Sequence, residues 1–125
     1  MWMKTNPNPG HKEVSDSAVR AIAIALNRRW LDIYDDLCRL GREEFNMPSA
    51  DSVWSRYLYE TGFRPFQAGD STRKSMTVTE FCLTYPEGIF VIGTGSHVLA
   101  VINGEYYDSW DSGNEVLSFF WKKES

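Results

Sequence analysis

The dipeptide Asn103-Gly104, set between the runs HVLAVI (97–102) and EYYDSW (105–110), leaves this chain the fewest conformational options. A two-residue type I′ turn needs positive φ at both central residues, which Asn and Gly tolerate best. That turn sets Ile102 opposite Glu105, and counting outward sets Leu99 opposite Asp108 and His97 opposite Trp110. Directly paired residues share a face, so His97, Asp108 and Trp110 project from one side and Asp111 from the other. His97 and Asp108 are then diagonal neighbours, about 7–8 Å apart at the backbone and within side-chain reach. An aspartate so placed would orient the imidazole, hold its tautomer and stabilise its cation, while Trp110 would keep water from the pair. The same geometry also suits a purely structural His–Asp pair on a sheet.

Around the hairpin, the chain divides into a helical first part and a β-rich end. Residues 1–13, rich in Asn, Pro and Gly, read as an irregular lead-in. Ser15 or Asp16 is placed to cap a helix that begins around Ser17, and the body from Ala18 to Leu26 is apolar nearly all round apart from Arg20. A helix of that kind is normally buried at the centre of a domain, with Arg20 paired to a carboxylate. Trp30, Ile33, Tyr34, Leu37 and Cys38 have the spacing of an amphipathic helix ending near Gly41. Val53, Trp54, Tyr57 and Leu58 suggest a third helix closing at Gly62, and residues 64–76 read as a polar loop. Thr77 and Glu80 stand at capping-box spacing ahead of a short helix from which Cys82 packs. From Ile89 onward the pattern is β: IFVIG, the hairpin, then EVLSFFW. Helices first and an antiparallel sheet after them make an α+β domain, and 125 residues make one domain.

Charge and composition narrow the partners. A net charge of -4, with basic residues in short pairs such as Arg28-Arg29 and Lys122-Lys123, argues against nucleic acid or an anionic membrane as partner. No apolar run approaches the roughly 20 residues of a membrane span, and the first ten residues lack the apolar core of a secretory signal. Cys38 and Cys82 alone make no disulfide framework, which points to a reducing cytoplasm. The two His and two Cys are too scattered for a zinc site, and no cofactor is expected.

The stretches DSAVRAIAIAL and HVLAVINGEYYDSW together resemble the papain-like cysteine peptidase superfamily, most closely its small single-domain phage and bacterial members and the bacteriocin-processing peptidases. The resemblance implies that residues 1–125 form one papain-like domain, with a central buried helix carrying the nucleophile at its N-terminus. The helices would pack on a C-terminal antiparallel sheet bearing a histidine and then an Asn or Asp. Asp108-Ser109-Trp110 resembles the plant members, in which that Asn or Asp is followed by Ser-Trp. The catalytic residues would be Ser17, His97 and Asp108, with Trp110 as shield, and the substrate a peptide or protein. The position six residues before the nucleophile, which supplies an oxyanion donor in the family, is His11; the backbone N–H of Ser17 would be the second donor.

Ser17 departs from the family, which has cysteine there. A helix N-terminus and an adjacent imidazolium bring a thiol from about pKa 8.5 to roughly 3.5–7.5, whereas a serine hydroxyl is too weak an acid to ionise there. Three readings follow: an inactivating Cys→Ser substitution, a natural pseudoenzyme, or a working serine variant. As a thiol hydrolase the site would cleave a peptide or isopeptide bond, and deamidation and transglutamination share the same acyl chemistry. The competing reading is a non-catalytic protein that captures a peptide or protein partner in the old cleft. Trp2, Tyr106 and Tyr107 would serve as anchors, unless they are ordinary packing residues.

Overall fold

The hairpin at Asn103-Gly104 anchors a six-stranded sheet in the computed structural model, which describes residues 1–10, 15–67 and 76–124. In chain order the elements are β1 (Trp2–Lys4), α1 (Ser17–Leu26), α2 (Trp30–Glu44), α3 (Asp51–Glu60), β2 (Phe63–Gln67), α4 (Val78–Thr84), β3 (Ile89–Thr94), β4 (Val98–Ile102), β5 (Glu105–Asp108) and β6 (Leu117–Lys123). The strands lie in the order β1-β5-β4-β3-β6-β2. The class is α+β, as the sequence pattern requires.

Asn103 and Gly104 take φ of 49° and 79°, the left-handed pair that a type I′ turn demands. The ladder pairs Ile102 with Glu105, Val101 with Tyr106 and Ala100 with Tyr107, the register set by that turn. Alternation along the strands gives the sheet two apolar faces. Val91, Val98 and Ala100 pack with α1, α2 and α3 on one side, where Ile22, Leu37 and Leu58 are completely buried. Phe90, Ile92, Leu99, Val101, Tyr106 and Phe120 pack with Phe81 and Cys82 of α4 on the other. Cys82 is thus core, as expected from its helix.

Five expectations are corrected. The sheet is mixed, because Trp2–Lys4 leaves the supposed lead-in to pair in parallel with β5, Trp2 beside Tyr106. Part of the supposed loop after residue 63 is strand β2, pairing antiparallel with β6. Helix α2 runs past Gly41 to Glu44 and closes at Phe45, whose φ of 54° ends the helix in left-handed form. Gly41 serves packing instead: a Cβ there would meet the Asn46 carbonyl oxygen at 2.7 Å, where the chain folds back over the helix. Asp16 is the residue before α1 but makes no side-chain cap, since its carboxyl is engaged elsewhere. Tyr106 is buried core, not an exposed anchor. Among the described residues, no helix is long and apolar enough to cross a membrane.

Candidate active site

His97 stands just before β4 and Asp108 ends β5, so the two-residue turn brings them together at the same end of the hairpin. His97 Nε2 lies 2.6 Å from Asp108 Oδ2, with only 4% and 2% of the two side chains exposed. Ser112 donates to the same carboxyl oxygen at 2.7 Å, and the Ser109 N–H donates to Oδ1 at 2.8 Å. The carboxyl group is thereby held in one orientation. Trp110 lies over the imidazole with ring centroids 4.3 Å apart and donates from its indole to Glu115 at 3.1 Å.

Asp111 makes no bond to His97, but it does not lie on the opposite face as the parity argument expects: β5 ends at Asp108, alternation stops there, and Asp111 turns to the Tyr106 side of the sheet. It accepts a hydrogen bond from the buried Tyr106 hydroxyl and another from the Gly113 N–H at 3.0 Å. Burial, and after it the bond to Asp111, pushes the Tyr106 hydroxyl up to about 12. The same bond, followed by that from Gly113, holds the Asp111 carboxyl below its ordinary value. Gly113 is needed here because a Cβ would collide with the Tyr106 hydroxyl and the Thr79 side chain.

Ser17 opens α1 and lines a cleft with His97, Thr94, Ser96, Trp54 and Phe119. Its cavity volume is about 240 Å³. Phe119 forms a wall because Gly93 lets its ring lie against the β3 backbone, and it stacks on Trp54 with centroids 5.9 Å apart. The Ser17 hydroxyl accepts from the Val98 N–H at 3.3 Å. The other ring nitrogen of His97, Nδ1, lies 3.1 Å from the Thr94 hydroxyl, 3.2 Å from that of Ser96 and 3.4 Å from Glu115 Oε1. Among the described residues, no hydrogen bond joins Ser17 to the imidazole.

The register explains that separation. Asp108 has the parity of Tyr106, on the α4 side of the sheet, whereas α1 packs on the opposite side against Val98 and Ala100. Ser17 and the His97–Asp108 pair therefore approach one another around the end of β4, not across one face. His11 lies outside the described residues. Arg20 is ion-paired with Asp16, both buried, as expected for a charge in an apolar helix.

Ser112, Glu115, Thr94 and Ser96 complete the site and were not legible in the sequence. Thr94 is the last residue of β3, Ser96 lies in the turn before β4, and Ser112 and Glu115 lie in the loop after β5; for the last three neither helical nor strand spacing applies. The one available signal was indirect: a buried Asp108 requires donors, and the nearest serines in sequence are Ser109 and Ser112.

No protein-family model, no curated protein and no solved structure matches the chain.

Proposed function

We propose that the chain is a papain-like hydrolase scaffold whose acyl-transfer site consists of position 17, His97 and Asp108, with serine in the nucleophile position. The observation that carries this reading is the 2.6 Å His97–Asp108 contact, shielded by Trp110 and opening on the cleft that holds the N-terminus of α1. With the buried, hydrogen-bonded aspartate on Nε2, the nitrogen that would exchange a proton at the cleft is Nδ1, which has the Thr94 and Ser96 hydroxyls beside it. With a thiol at position 17, the thiolate would attack a peptide or isopeptide carbonyl. His97 would protonate the leaving amine and then take a proton from the water that hydrolyses the thioester. The helix N-terminus favours the thiolate through its partial positive charge.

A second reading has its own observation. The Ser17 hydroxyl is satisfied by Val98 N–H and makes no bond to His97, which suits a non-catalytic protein that holds a peptide in the cleft. Among the once-proposed anchors, Trp2 is half-buried and donates to the Asp108 carbonyl at 3.2 Å, so it braces the sheet.

The two readings separate on one experiment. In a Ser17→Cys variant with Cys38 and Cys82 changed to Ala, the introduced thiol should alkylate with iodoacetamide at pH 6, where an ordinary thiol is less than ~1% ionised. Adding His97→Ala should slow the reaction strongly and Asp108→Ala less so. Labelling no faster than that of free cysteine, and indifferent to His97, would place the peptide-capturing reading first.

A further inference from the structure

A second carboxylate faces His97. Asp108 meets Nε2 at 2.6 Å, and Glu115 Oε1 lies 3.4 Å from Nδ1 on the other side of the ring. The backbone of Glu115 is fixed: its N–H donates to the Ser112 carbonyl at 3.0 Å, and its carbonyl accepts from Val78 at the start of α4 at 2.9 Å. Its side chain is fixed as well. Oε2 accepts from the Trp110 indole at 3.1 Å, and Oε1 accepts from the Ser96 hydroxyl at 3.2 Å. Two donors on two different segments, the loop after β5 and the turn before β4, thus aim this carboxylate at the imidazole.

The hydrogens around Nδ1 can be assigned one by one. A carboxylate only accepts, so the Ser96 hydrogen points at Glu115, and the Ser96 oxygen turns its lone pairs to Nδ1, 3.2 Å away. The Thr94 hydroxyl lies 3.1 Å from Nδ1 and accepts from the Ser96 and His97 N–H groups at 3.2 and 3.3 Å. Its own hydrogen goes to the His97 carbonyl at 3.4 Å. The two hydroxyls also touch each other at 3.3 Å, and a hydrogen directed there is not directed at Nδ1 either. Nδ1 therefore meets three oxygens, none of which offers it a hydrogen. A bare ring nitrogen would face only lone pairs, whereas an N–H is what those oxygens can bind.

We infer that Glu115 is a positioning residue: directly and through Ser96 it fixes a proton on Nδ1 of His97, and so commits the site to a nucleophile that arrives already ionised. The commitment rests on the acyl-transfer reading; the fixing of the proton does not need a nucleophile. A protonated Nδ1 has no lone pair with which to take the Ser17 hydrogen, so His97 does not activate the serine. Of the three readings of Ser17, the working serine variant is then excluded. A thiolate at position 17 needs no base. As its sulfur bonds to the carbonyl carbon and the C–N bond breaks, the Nδ1 proton passes to the leaving amine. The emptied nitrogen then takes a proton from the water whose oxygen displaces the sulfur, which leaves as thiolate.

Two measurements test the inference. In the chain with Ser17 in place and its histidines labelled with nitrogen-15, the His97 Nδ1 resonance at pH 7 should have the shift of a protonated ring nitrogen. Glu115→Gln keeps the shape but offers one acceptor oxygen to two donors, so the signal should move toward that of a bare nitrogen. Ser96→Ala, in an exposed turn, should move it the same way and serves should Glu115→Gln fail to fold. In the Ser17→Cys variant lacking the other two thiols, Glu115→Gln should slow iodoacetamide labelling at pH 6 about tenfold, the effect of one hydrogen bond to a charged group. An Nδ1 that already has the shift of a bare nitrogen, or that is indifferent to both substitutions, overturns the inference. Phosphonylation of Ser17 by a fluorophosphonate, or fast thiol labelling unchanged by Glu115→Gln, overturns the commitment to an ionised nucleophile. A protonated Nδ1 that depends on Glu115, in a chain whose introduced thiol is not activated, upholds the positioning role while removing the hydrolase reading.

Discussion

Asp108 is held from several directions at once. Its carboxyl meets His97 at 2.6 Å, Ser112 at 2.7 Å and the Ser109 N–H at 2.8 Å, while its carbonyl accepts from the Thr5 N–H at 2.9 Å and the Trp2 indole at 3.2 Å. A buried acid with so many donors has one orientation, which is what a histidine partner needs. Ser112→Ala removes one of those donors within the protein interior. It should destabilise the fold by about 1–3 kcal/mol, measured as a lower urea midpoint at unchanged slope. In the Ser17→Cys background the same change should also slow thiol labelling at pH 6. The His97–Asp108 pairing was legible because a two-residue turn propagates register with no free parameter. Ser112 and Glu115 were not, because they reach the site from a loop whose path depends on the Tyr106–Asp111 bond and on Gly113. Such tertiary constraints leave no periodic trace in the sequence.

At the scale of elements, α4 shows how local chemistry supports the site from a distance. Thr77 accepts from the Glu80 N–H at 3.2 Å and Glu80 accepts from the Thr77 N–H at 2.8 Å, the reciprocal capping box expected from their spacing. The first N–H groups of the helix are then given to the site loop, Val78 to the Glu115 carbonyl at 2.9 Å and Thr79 to the Gly113 carbonyl at 3.0 Å. Thr77→Ala should cost about 0.5–2 kcal/mol in chemical unfolding. Because the loop is tied to that turn, the ring contact between Trp110 and His97 should loosen with it, seen as a change in Trp fluorescence before global unfolding. The helices were legible by their apolar spacing and caps, and the central strands by their β-branched runs. The two edge strands were not. β1 is three residues long, and β2 contains Pro65 and a half-exposed Phe66, so neither offers the alternating apolar run by which strands are read.

The whole molecule is a sheet with a separate apolar layer on each side, and each layer has its own buried tyrosine. Tyr57 lies in the layer of α1–α3 and Tyr106 in that of α4. Burial first, then hydrogen bonding to Asp36, raises the Tyr57 hydroxyl to about 12, matching the value reached by Tyr106. Each folded-state value lies above the ~10 of an unfolded chain, so the folded state holds these protons more tightly. Their contribution to stability is complete below pH ~10 and is lost as pH rises toward 12. An absorbance titration at 295 nm should show a late component near pH 12, reduced by Tyr57→Phe and by Tyr106→Phe separately. The two-sided layering was implicit in the alternating strands, but which side each helix takes depends on connections the spacing does not encode. One further property follows from β1. The bond between Trp2 and Asp108 spans 106 positions of the chain, and the entropy lost on closing a loop grows with its length. Long-range pairings of this kind are repaid only after the intervening chain has ordered. The consequence is one of timing: the brace behind Asp108 is expected to close after the local hairpin that carries it, so Trp2→Ala should raise the unfolding rate more than it slows refolding.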